Sequence, residues 1–359
     1  MSCEVLSSNV GKGYDQRDVM IPAEGKMKTL TPPTRAEAGA PASASIPDLH
    51  QLSRLPFHQT PHALRREVFH VPYVQLDDVS GGRLWVTRHG WRHLEQLDPA
   101  AWFFDRQYSR RGRQLSGGTG SVFRVPCRGP QDRAIDLVVK FSRMAQEILL
   151  DIPPLFPGDF AQHAVEGAAV NDPFQEFGLL EELRTSRFGP ADLRILTKRP
   201  LAIYSPGKTF ESWQLGRTAD RFFCHRCRLD TDQARRASGL QAVEMSIQRQ
   251  YVMLFHWVHG EDAEQLLRRG VISASEARAL VIHVVNDLAA KGFRVLDTKP
   301  NHIILRHRPG KGLLCRGTTP VYALVDFELL QRTEEYERWR QTWAPTEGPR
   351  PSPGPLAVV

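Results

Sequence analysis

Lys140, Glu176, Asp297, Lys299 and Asp326 are of the types that together handle phosphate and divalent metal ions. Cations neutralise phosphate oxygens, and carboxylates hold a metal or take a proton from a hydroxyl. The run Ser116-Gly117-Gly118-Thr119-Gly120 adds a loop whose backbone can approach a ligand closely. Singly, each has a plainer reading: the glycines as a turn, Lys140 as a strand end reaching solvent, Glu176 as a solvated helix residue. Cys127 and Cys315 sit in predicted loops without a paired base, so cysteine hydrolase chemistry is not indicated.

The elements around these residues decide between the readings. Gly120 leads into the β-branched and aromatic run Val122-Phe123-Arg124-Val125 rather than into a helix. That excludes a dinucleotide fingerprint, and no Gly-Lys-Ser/Thr follows to make a Walker loop. The pattern predicts strand, glycine loop, strand, hairpin and a strand over 135–141 that ends near Lys140. Phe174, Phe177, Leu180 and Leu183 recur three residues apart, predicting an amphipathic helix over 171–184 that carries Glu176. Strands are expected over 194–204 and 251–257. Ser273 with Glu276 makes a capping box for a helix whose apolar positions run from Ala277 to Ala289 and stop at Gly292. Short strands then follow over 293–297, 303–305 and 322–326, two of which end in an aspartate.

The stretch Val295-Leu296-Asp297-Thr298-Lys299-Pro300-Asn301-His302-Ile303-Ile304-Leu305 resembles the catalytic loop of the protein-kinase superfamily. Ala323-Leu324-Val325-Asp326-Phe327-Glu328 resembles its metal-binding Asp-Phe-Gly segment, and the stretch from Tyr251 to Glu261 resembles its adenine-binding strand and hinge. The resemblance implies an α+β, two-lobed fold with a β-rich first lobe and a reduced helical second lobe. Residue by residue it implies that Gly117, Gly118, Thr119 and Gly120 cover the phosphates of ATP and that Lys140 pairs with Glu176 over them. Phe255 and Trp257 would lie at the nucleotide, Asp297 would orient an acceptor hydroxyl, Lys299 would contact the γ-phosphate, and Asp326 would hold a divalent ion. Compact superfamily members, RIO-like and bacterial small-molecule kinases, are the nearest in character.

Four positions depart from the pattern. His302 stands where the second metal-binding asparagine is expected, with Asn301 one residue early. Imidazole suits Mn²⁺ better than Mg²⁺, so His302 predicts either a manganese preference or a structural role. Val295-Leu296 replaces the usual His-Arg, which removes the arginine that reads a phosphorylated activation loop. Glu328 replaces the glycine after Asp326-Phe327, and about thirty residues follow Asp326, too few for the usual peptide-gripping helices. The expectation is an atypical ATP-dependent phosphotransferase using Mg²⁺ or Mn²⁺, with a small-molecule acceptor favoured over a conventional peptide. The alternative is a catalytically inactive pseudokinase acting as a nucleotide-binding or scaffolding module.

Domain organisation follows from composition. Residues 1–55 and 344–359 are rich in Pro, Ala, Ser and Gly and read as disordered. Residues 56–114 form an ordered extension of unreadable purpose, 115–258 the first lobe, and 259–343 the second. An insertion over 205–250, read as a polar helix hairpin, carries Arg217, Arg221, Arg226, Arg228, Arg235 and Arg236, which raises nucleic-acid association as a further reading. Within it Cys224-His225-Arg226-Cys227 has zinc-knuckle spacing but lacks a second ligand pair. With 359 residues, five cysteines in no disulfide framework, a net charge of +7 and no long apolar run, the chain reads as globular and cytoplasmic, with reduced thiols and no membrane span.

Overall fold

The computed structural model describes residues 49–115, 121–128, 134–147, 168–235, 239–308 and 312–343, all within one compact unit, Ile46–Val359. Its architecture is mixed α+β around a large antiparallel sheet. The strands, in chain order, are β1 (Arg65–Val68), β2 (Val71–Asp77), β3 (Arg83–Thr87), β4 (Arg113–Gln114), β5 (Val122–Arg128), β6 (Ala134–Phe141), β7 (Leu196–Thr197), β8 (Pro200–Ser205), β9 (Val252–His256), β10 (Glu261–Asp262), β11 (Phe293–Val295), β12 (Ile303–Leu305), β13 (Tyr322–Leu324) and β14 (Leu330–Arg332). The longer helices are α1 (Pro173–Thr185), α2 (Ala219–Ala234), α3 (Ala263–Arg268), α4 (Ala274–Ala290) and α5 (Glu334–Trp343).

The main sheet has the order β1-β2-β3-β8-β9-β6-β5-β4. Residues 56–114 are therefore no appendage to it. They supply β1, β2 and β3, and β3 pairs with β8 from Arg83↔Ser205 to Val86↔Ala202. Their short helices, with Trp91, Leu94, Leu97, Trp102 and Tyr108 buried, cover one face of the sheet and meet Ile135, Leu137 and Val139 of β6. Strand alternation then sends Val138 and Lys140 to the other face, against α1. The sequence hid this role because β1 to β3 find their partner more than a hundred residues downstream. Within the segment 1–55 expected to be disordered, Leu49–Ser53 is helical with Leu52 buried, and the rest of that expectation, over 1–48 and 344–359, lies outside the described residues.

Asp172 caps α1, its Oδ1 accepting from the backbone N–H groups of Phe174 and Gln175 at 2.9 Å, with Pro173 at the first helical position. The four apolar positions at helical spacing are all buried. Phe174 packs edge-on to Tyr73 and Trp85, and Phe177 meets Phe255 with ring centroids 5.2 Å apart. Each such buried side chain contributes about 1.5–3 kcal/mol, which fixes α1 against the sheet. This core runs from α1 and β9 into α4, β11 and α5. The capping box at Ser273 and Glu276 starts α4 as its residues predict.

Two smaller sheets beyond the main one place the loops that matter. β12 pairs antiparallel with β13, Ile303 opposite Leu324, and β7 runs parallel to β13, which sets Lys198 beside the chain leaving β13. β11 pairs antiparallel with β14, so the residues after Val295 lie against those before Leu330. Among its described residues the insertion over 205–250 holds one α-helix, α2, and a 3-10 turn at Ser212–Leu215, where its polar composition suggested a helix hairpin.

Candidate active site

The two pairings bring Asp297, at the exit of β11, and His302, at the entry of β12, to the segment Asp326-Phe327-Glu328. Backbone hydrogen bonds from Val325 N to His302 O and from Leu296 N to Leu329 O join the two loops. Asn171, just before α1, reaches the same segment: its backbone N–H donates to Glu328 O, and its Nδ2 to Phe327 O and Leu330 O.

Lys140 projects from β6 into this junction. Its Nζ donates to Asp326 Oδ1 at 2.7 Å and lies 3.4 Å from Glu328 Oε2 and 3.6 Å from Glu176 Oε2. The expected pairing of Lys140 with Glu176 is thus present, and Asp326 joins it. Burial works against the Lys140 charge, but Asp326, Glu176 and Glu328 outweigh it and raise its pKa. Burial likewise opposes ionisation of Asp326, yet Lys140, His302 and Lys198 hold its carboxyl well below the usual range.

Two participants lay outside the residues singled out from the sequence. Lys198 Nζ is 3.1 Å from Glu176 Oε1 and 3.6 Å from the Phe255 ring centroid, so Glu176 serves two lysines. Burial lowers the Lys198 pKa, only partly countered by Glu176. Glu328 binds Arg143 as well as Lys140. Lys140, Lys198 and Arg143 therefore stand against Glu176, Asp326 and Glu328, a balanced set.

Asp297 is half-buried beside this cluster. Burial and the charges of Asp326 and Glu328 push its carboxyl up to about 6, against the pull of His302 and Lys299. His302 Nε2 stands 3.7 Å from Asp326 Oδ2, and its Nδ1 is buried without a hydrogen-bond partner. Lys299 precedes the 3-10 turn Pro300–His302 and is half-exposed. Among the described residues no three acidic, histidine or cysteine side chains already converge as a metal site. Asp326 and His302 are the two candidate donors that face each other.

Gly117, Gly118, Thr119 and Gly120 lie outside the described residues, and the strands that flank them, β4 and β5, pair antiparallel. The Phe255 side chain is fully buried under Lys198. Trp257 is half-buried with the Arg124 guanidinium 4.7 Å over its ring. The backbone N–H groups of His256 and Trp257 donate to Arg199 O and Asp136 O. A cavity of about 260 Å³ lies against this stretch, lined by Trp257, His259, Ile304 and Tyr322 among others, and Lys140, Asp297 and Asp326 are not in its wall. Cys224 and Cys227 are exposed on α2, whereas His225 turns inward, its Nδ1 3.6 Å from Asp172 Oδ2 at the cap of α1.

No protein-family model matches the sequence, and no curated protein does. Among solved structures the chain is similar to WbdD, described in co-crystal with the kinase inhibitor LY294002, at 12% identity and a TM-score of 0.28 over 65% of this chain. It is also similar to the Rio2 kinase of Chaetomium thermophilum in an ADP/Mg²⁺-phosphoaspartate complex, at 11% identity and a TM-score of 0.31 over 78% of this chain. The chain spans 35% of the WbdD chain and 69% of the Rio2 chain. At such scores neither likeness decides what this chain does. No helix among the described residues is long and apolar enough to cross a membrane.

Proposed function

We propose that the protein is an atypical ATP-dependent phosphotransferase of the protein-kinase type. The observation that carries this is the meeting of Lys140, Glu176 and Asp326, from a strand, a helix and a post-strand loop far apart in the chain, within 3.6 Å of one ammonium. In this reading Lys140 and its neighbour in the cluster, Lys198, supply positive charge, with Lys140 turning to the ATP phosphates when Asp326 takes a divalent metal. Asp326 with His302 would hold Mg²⁺ or Mn²⁺, which neutralises phosphate charge when bound. Asp297 orients the acceptor hydroxyl and receives its proton, a task that suits a carboxyl near 6. Lys299 meets the γ-phosphate, and the loop 117–120 covers the nucleotide. In this reading the acceptor is a small molecule.

A second reading is a pseudokinase that binds nucleotide without transferring phosphate. It is favoured by Glu328, which adds a third carboxylate to the Lys140 ammonium and keeps it from phosphate. Thermal unfolding with ATP and either Mg²⁺ or Mn²⁺, beside Lys140→Ala and Asp326→Ala, tests the nucleotide site. A ligand at about a hundred times its Kd adds about 2.7 kcal/mol. Metal-dependent stabilisation lost in both variants supports either reading, and γ-phosphate transfer to a small-molecule panel separates them. No stabilisation by any nucleotide removes both.

A further inference from the structure

A cavity of about 410 Å³ borders α1 at Gln175, and its wall includes Arg228 of α2, Arg235 just past the end of α2, Arg332 of β14 and Arg340 of α5. Its size is that of a small-molecule site. Arg332 is held rigidly: its Nε and one terminal nitrogen donate to the two oxygens of Glu182 at 2.6 and 2.8 Å, and its other terminal nitrogen reaches Glu337. Arg340 lies against the same two glutamates. Among the described residues the wall's acidic side chain is Asp232, which accepts from the Phe69 backbone N–H at 2.8 Å. Four guanidiniums against Asp232, with Glu182 and Glu337 behind, leave the wall positive. The Oε1 of Gln175 is buried without a hydrogen-bond partner, and a turned amide would present its NH₂ there as a donor.

We infer that this cavity binds a compact phosphorylated small molecule, a condensed phosphate or a phosphate ester, between α1, α2, β14 and α5. Guanidinium forks match phosphate oxygens in pairs, and those of Arg228 and Arg235 are the ones offered, since the Arg332 fork is spent on Glu182 and Arg340 lies against Glu182 and Glu337. The arginine-rich insertion thereby acquires a use distinct from the Lys140 site. The inference does not depend on whether that site transfers phosphate.

Cys227 offers a local readout, because its thiol is exposed and lies in the cavity wall, whereas Cys224, one turn earlier on α2, is exposed outside it. Maleimide labelling of the full chain, resolved by peptide mass spectrometry, is run with tripolyphosphate, fructose 1,6-bisphosphate or a short oligonucleotide. Either small phosphate is expected to slow labelling at Cys227 and not at Cys224, and which of them acts at the lower concentration tells condensed phosphate from ester. Arg228→Gln and Arg235→Gln, both at exposed positions, should each weaken the protection about tenfold. Arg226→Gln, exposed on the same helix but outside the wall, should leave it unchanged. Protection equal at both cysteines, absent with both small phosphates, given by the oligonucleotide alone, or equally weakened by Arg226→Gln would each overturn the assignment.

Discussion

Lys198 Nζ lies 3.1 Å from Oε1 of Glu176 while Lys140 faces the other oxygen of the same carboxylate, so one fully buried glutamate holds two lysines from different strands and segments. Removing one partner of a buried pair leaves an uncompensated charge and costs about 3–5 kcal/mol. Glu176→Gln, which leaves Lys198 without its carboxylate while Lys140 keeps Asp326 and Glu328, is expected to fall in that range in urea unfolding. Lys198→Met should cost distinctly less, because Glu176 keeps Lys140 and the methionine can pack on Phe255. Equal losses in the two variants would show that Glu176 is not shared.

Asp297 carries a pH signature. Its folded pKa, about 6, lies above the ordinary 3.8, so the folded state binds more protons than the unfolded state between those values. Its ionisation therefore takes stability away as pH rises through that window. Asp297→Asn should be more stable than the parent at about pH 7 and no more stable below about pH 3.5. Turnover, which needs the carboxylate, should rise along an acid limb near pH 6 and fall by about 10²- to 10⁴-fold in Asp297→Asn, with nucleotide-dependent stabilisation kept. A flat profile from about pH 5 to about pH 7.5 would exclude Asp297 as the proton acceptor.

The metal should be read at His302. EDTA is expected to abolish stabilisation by ATP, and Mn²⁺ to restore it at lower concentration than Mg²⁺. His302→Asn should then reverse the order of the two ions. If both ions restore binding equally in the parent, His302 serves structure alone.

Gly178 tests the seat of α1. A Cβ there would stand 2.5 Å from Phe69 Cβ, at the tip of the β1–β2 turn where Phe69 and His70 both adopt positive φ. Gly178→Ala should cost about 1–3 kcal/mol in thermal or urea unfolding. A neutral result would mean that the turn moves aside freely.

Much of this site is legible in the residues. The spacing of Phe174, Phe177, Leu180 and Leu183 gives α1, the capping box gives α4, and the aspartates after Leu296 and Val325 announce two loops. Lys198 stayed hidden because Thr197-Lys198-Arg199 reads as a polar break in a strand, and only the parallel pairing of β7 with β13 buries it. Glu328 read as a lost glycine, whereas its carboxylate bridges Lys140 and Arg143. Neither pairing leaves a local periodicity, since each depends on segments distant in sequence.

The parallel pairing of β7 with β13 also bears on biosynthesis. During synthesis Lys140, Glu176 and Lys198 leave the ribosome well before Asp326 and Glu328, so the two lysines first share a single carboxylate. The chain can settle its charges only when its last strands dock, which makes long-range closure a late and slow event. A nascent chain stalled before β13 would carry excess buried cation, a target for chaperones or proteases rather than a nucleotide-binding protein.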